Sequence, residues 1–174
     1  MTKARHYYRT TDWEPVEDFF DSQTKYYCNE YVAHVLRQSG TATWKPIRRP
    51  SLFPMYRQPL AREWSNADFG IKGWSVKFSP DSSEKYNADQ ILAIRQPGDV
   101  VAGNGHVGIV SDDSNTESMN HYLVYSASSK TGAVELNTWS LQLPDVSKYD
   151  NGAKYQEDAK KVVSRYTVRR FDGG

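Results

Sequence analysis

The stretch GDVVAGNGHVGIV, Gly98 to Val110, leaves this chain the least freedom. Two apolar runs flank Asn104-Gly105, and this dipeptide accepts the positive φ angles of a two-residue turn whose twist matches the strands it joins. A β-hairpin follows, with Val100 and Val101 on one arm and His106 to Val110 on the other. HYLVYSAS (His121 to Ser128) reads as a third strand and VVSRYTVRRF (Val162 to Phe171) as a closing one. The segment from Ser140 to Lys161 between them reads as a loop followed by a short helix.

Ahead of the hairpin the period changes. In KYYCNEYVAHVLRQSG, Lys25 to Gly40, the apolar positions Tyr27, Tyr31, Val32, Val35 and Leu36 recur at helical spacing. Ser22 or Thr24 can cap the start, and Gly40 can cap the end. From Thr41 to about Tyr86 the pattern breaks up. Pro46, Pro50, Pro54, Pro59 and Pro80 exclude long regular elements, and one short helix is expected around Leu60 to Asp68. This stretch reads as an insertion ordered by Trp44, Trp64 and Trp74. The first twenty residues read as a lead-in with aromatic anchors at Tyr7, Tyr8, Trp13, Phe19 and Phe20. Helix, insertion and then antiparallel strands make an α+β layout in one domain spanning 1–174, with the insertion at about 41–86.

Composition narrows the functional classes. Lys and Arg number 22 against 21 for Asp and Glu, a balance that offers no basic excess to a nucleic-acid partner. The basic pairs in IRRP (Ile47 to Pro50) and VRRF (Val168 to Phe171) are expected on solvated surface. No apolar run approaches the roughly 18 residues of a membrane span. The polar, mixed-charge start MTKARHYYRT is not that of a signal peptide, so the chain is expected to be made in a cytoplasm. A single cysteine forms no internal disulfide. With scattered histidines it makes no metal site, and no cofactor is implied.

That cysteine, Cys28, sits in the first turns of the helix on its apolar stripe, where unpaired N–H groups and the helix dipole favour a thiolate. It is either a small core filler or a nucleophile. A nucleophile needs an imidazole to take its proton and return it to the leaving amine. His106 opens a strand after a glycine turn, and Gly108, next on its face, leaves room for a helix end to approach. Val107 and Ile109 point the other way. His34 lies about 240° around the helix from Cys28 and faces away. His6 falls in the lead-in, and His121 begins a strand.

YYCNEYVAHVLRQSG, QPGDVVAGNGHVGIVSDD and YLVYSASSKTGAVE together resemble the papain-like core of the NlpC/P60 superfamily, over about Thr24 to Leu36 and Gln96 to Glu135. The resemblance implies a nucleophile helix bearing Cys28 packed on a mostly antiparallel sheet, with His106 as base. It implies a polar third residue on the next strand, which the alignment of VYSASS puts at Ser126; a backbone carbonyl is the alternative. Many members have Asp-Cys-Ser-Gly at the nucleophile, where this chain has Tyr27-Cys28-Asn29-Glu30. Asp99 of the PGD turn is expected to shape the strand entry and takes no catalytic role.

The resemblance also implies a substrate: amide bonds in the stem peptides of bacterial peptidoglycan. Among relatives, the type VI secretion amidase effectors are the best fit, which implies an antibacterial toxin exported to a target cell's periplasm and an immunity protein as inhibitor. Trp44, Trp64 and Trp74 would then line the substrate groove, or else form the insertion's own core. A papain-like toxin that deamidates or cleaves a protein, and a non-enzymatic partner-binding domain, are the alternatives.

Overall fold

The computed structural model of the protein describes residues 27–41, 45–47, 55–103, 105–115, 121–128, 133–136, 144 and 146–173. In chain order the elements are α1 (Tyr27–Gln38), β1 (Lys45–Ile47), β2 (Met55–Arg57), α2 (Ala61–Ser65), β3 (Trp74–Phe78), a 3₁₀ turn (Pro80–Lys85), α3 (Ala88–Ile94), β4 (Val100–Gly103), β5 (His106–Asn115), β6 (His121–Ser128), β7 (Ala133–Leu136), a second 3₁₀ turn (Val146–Lys148), α4 (Gly152–Val163) and β8 (Thr167–Phe171).

Six strands form one antiparallel sheet in the order β3-β8-β4-β5-β6-β7, and β1 with β2 forms a separate ribbon. The expected α+β class and hairpin are both present. Gly103 pairs with His106 across the turn, and Gly105 takes φ 75°. Alternation along the strands then sorts the core into two halves. Val100, Ala102, Val107, Ile109, Tyr125 and Ala127 face α1 and α2, while Val101, Val110, Val124 and Val168 face α3 and α4.

Local chemistry sets the helix limits. α1 ends in a Schellman motif, in which Gly40 at φ 75° lets Thr41 N donate to Leu36 O (2.9 Å) and Gly40 N to Arg37 O (3.1 Å). Its candidate caps Ser22 and Thr24 lie outside the described residues. So do Trp44, His6 and the lead-in aromatics. α3 did not stand out in the sequence, yet it carries a reciprocal cap: Gln90 N donates to Asn87 Oδ1 (2.8 Å) and Asn87 N to Gln90 Oε1 (2.9 Å).

Two expectations need correction. The stretch 41–86 is no separate insertion, because β3 joins the main sheet through β8 and Trp64, Ile71 and Trp74 belong to the α1-side core. Nor is VRRF solvated surface. Arg169 is only 2% exposed and donates to three carbonyls at the end of α2, with Nε on Trp64 O (2.9 Å) and Nη2 on Asn66 O and Phe69 O. They lie at and just beyond a helix C-terminus, where carbonyls lack intrahelical donors, so the guanidinium acts as a buried cap. Arg170 makes a two-pronged pair with Asp99 instead. Of IRRP, only Ile47 is described.

Candidate thiol–imidazole site

Cys28 is in the first turn of α1 and is buried. Burial pushes its thiol up from the ordinary range, and main-chain N–H groups of Val107, Asn29 and Cys28 itself offset this only in part. The thiolate expected from a helix N-terminus is therefore not the resting form, because desolvation outweighs the N–H groups around the sulfur. The Val107 contact fixes where the sulfur is. It lies beside the peptide that links His106 to Val107, at the start of β5.

His106 is the first residue of β5 and is also buried. Its Nε2 lies 2.8 Å from Ser126 Oγ on β6. Ser126 is fully buried, so neither group can exchange this bond for water. Burial pushes the imidazole down to about 4, so at neutral pH it carries no charge.

Gly108 explains how the two strands come so close. A Cβ there would stand 2.5 Å from Val124 Cγ1, 2.7 Å from Tyr125 O and 3.1 Å from Ser126 Cβ. The room beside His106 is thus taken up by β6, not by a helix end, which corrects the sequence expectation. Alternation gives a second correction. α1 packs on the Val107 and Ile109 face, and His106 and Gly108 point to the other. The structure therefore brings His106 and Ser126 side by side, and brings Cys28 to the main chain one residue away, at the hairpin end of the sheet.

The other candidates fall as follows. Trp64 and Trp74 are core residues packed edge to face, with centroids 5.1 Å apart and planes at 85°. Both belong to the main core, and Trp64 offers no open face to a substrate. Trp74 does border a cleft of about 330 Å³, but that cleft lies against Val35, Leu36 and Thr41 at the opposite end of α1 from Cys28. His34 is half-buried on the outer side of α1, as expected. Asp99 shapes the strand entry: its carboxylate accepts from Gln96 N (2.8 Å) and from Arg170 Nε and Nη2 (both 2.8 Å), while its carbonyl accepts from Val110 N (2.8 Å).

One residue at this site escaped the sequence reading. Asn29, next to the thiol, is 6% exposed, and among the described residues neither Oδ1 nor Nδ2 has a hydrogen-bond partner. An Asn inside an otherwise apolar helix face was the available signal. Among the described residues, no group of three or more His, Cys, Asp or Glu side chains is placed to hold a metal ion, and no helix is long and apolar enough to cross a membrane. No protein-family model, curated protein or solved structure matches this chain.

Proposed function

We propose that the chain is a cysteine hydrolase of amide bonds with a papain-like arrangement, in which Cys28 is the nucleophile, His106 the general base and Ser126 the group that orients the base. The observation that carries this reading is the position of the Cys28 sulfur at the Val107 N–H, one residue along the chain from His106, whose imidazole Ser126 holds. A cysteine in the first turn of a helix laid on an antiparallel sheet, followed by a strand that begins with His, also supports the papain-like assignment.

The chemistry then runs from a neutral pair. With Nε2–H donating to Ser126, Nδ1 is the basic nitrogen. Because His106 and Cys28 lie on opposite faces of β5, this reading requires the ring to swing around the hairpin end of the strand to reach the sulfur. Nδ1 takes the thiol proton as sulfur attacks the acyl carbon, and gives that proton to the leaving amine as the C–N bond breaks. Water then cleaves the thioester by the same route, its proton passing through His106 to restore the thiol. The N–H groups of Cys28, Asn29 and Val107 around the sulfur stabilise charge that develops there.

The substrate follows from the family resemblance: peptide amides of the peptidoglycan stem, cut by an antibacterial effector acting in a target cell's periplasm, with an immunity protein as its inhibitor. A second reading has its own observation. A thiol pushed up and an imidazole pushed down, on opposite strand faces, also describe a packed cysteine beside a buried polar pair. Purified sacculi digested with the protein and with Cys28→Ala separate the two. Defined stem-peptide products that vanish in Cys28→Ala support the hydrolase, and identical chromatograms from both proteins would sink it. A one-dalton mass gain on a protein substrate, with sacculi intact, would move the same residues to deamidation.

A further inference from the structure

Burying both ends of a carboxamide without hydrogen bonds is costly, and native proteins rarely tolerate it without reason. Asn29 does so at the thiol. At about 100° per residue, Val32 sits at the middle of the buried arc of α1, with Cys28 about 40° to one side and Asn29 about 60° to the other. Both side chains of the first turn therefore point inward at the same end of the helix, while Arg37 and Gln38 mark its exposed side. The Asn29 main chain is also turned to the sulfur. Apolar neighbours Val32, Ala33 and Leu36 on that side would accommodate a leucine better than an amide.

We propose that the Asn29 carboxamide is the site's amide reader: Nδ2 donates to the carbonyl oxygen of a peptide group bound beside Cys28, and Oδ1 accepts from its N–H. The ligand class is a secondary or primary amide, which offers one acceptor and one donor to match; an ester or thioester offers only the acceptor. This deepens the hydrolase reading and rests on it for the identity of the bound group, but its test needs no turnover.

The test compares two small electrophiles on the whole protein. Iodoacetamide carries a carboxamide beside the carbon that Cys28 attacks; the sulfur displaces iodide and its proton leaves to solvent. Methyl methanethiosulfonate reaches the same sulfur without an amide, the sulfur displacing methanesulfinate. One lost hydrogen bond in a buried site is worth up to about tenfold in rate. Asn29→Leu is expected to slow iodoacetamide labelling about tenfold relative to methyl methanethiosulfonate, and Asn29→Asp, which keeps an acceptor and loses the donor, to show an intermediate ratio. Asn29→Ala gives the same comparison if the leucine variant does not fold. An unchanged ratio across the variants overturns the proposal, as does a native Cys28 that neither reagent reaches. Stem-peptide products with an unchanged ratio would leave the hydrolase standing without its reader. A shifted ratio with inert sacculi would do the reverse.

Discussion

His106 Nε2 and Ser126 Oγ, 2.8 Å apart on neighbouring strands, form a polar pair closed off from water. Ser126→Ala leaves the ring nitrogen buried without that partner, at an expected cost of about 1–3 kcal/mol in chemical denaturation. It is also expected to lower kcat more than KM, since a base that has lost its orienting group still leaves binding intact. Full activity in Ser126→Ala would assign the orienting role to a backbone carbonyl.

The depressed imidazole makes acid the weak side of this fold. Its pKa falls from 6.5 to about 4 on folding, so between these values the unfolded chain binds the extra proton and stability rises with pH. The contribution is complete above about pH 6.5 and is lost as pH falls through 4, by roughly 3 kcal/mol over the window. Urea midpoints measured from pH 7 to pH 4 should trace this loss. His106→Gln should flatten it. The same slope in the variant would place the titrating group elsewhere.

Cys28→Ala removes one buried sulfur and is expected to cost about 1 kcal/mol of stability while abolishing hydrolysis. In a Gram-negative host, periplasmic expression of the wild type is expected to round and lyse cells, cytoplasmic expression to be nearly harmless, and Cys28→Ala to be harmless in both. Time-lapse microscopy reads the outcome. Lysis confined to the cytoplasmic strain contradicts a wall substrate.

Asp99 supports the fold away from the thiol. Asp99→Asn weakens a bidentate pair with Arg170 while Arg95 stays buried nearby, so the expected loss is roughly 3 kcal/mol. The Cys28 labelling rate at 20 °C, well below the melting transition, should not change. A collapse of labelling with stability unaltered would tie the PGD turn to the site.

Much of the site was legible because its signals are local. The α1 stripe and Gly40 specify a helix and its end within sixteen residues, and Asn104-Gly105 fixes the register that puts His106 first in its strand. That Trp64 and Trp74 join the main core could not be read locally, because it depends on β3 pairing with β8, a partner far along the chain. The same distance hid Arg169, whose carbonyl partners on and after α2 cannot be read from VRRF. Alternation along HVGIV correctly set Val107 against His106, but it could not say which face α1 would cover. α3 was a different kind of miss, since its Asn87 and Gln90 cap was visible in the sequence.

The strand order has a consequence for how the chain can be made. β8, which follows every other described strand in sequence, lies between β3 and β4. Until Phe171 has left the ribosome, β3 has no place in the sheet and β4 presents an unpaired flank to the cell. The fold therefore cannot be completed in the order of synthesis. Two edges wait open for a partner that arrives last, and a nascent or half-threaded chain exposes sticky β-surface that a chaperone or carrier can hold. The long loop closure also predicts slow refolding, and with it a window in which transport of an unfolded chain competes with folding.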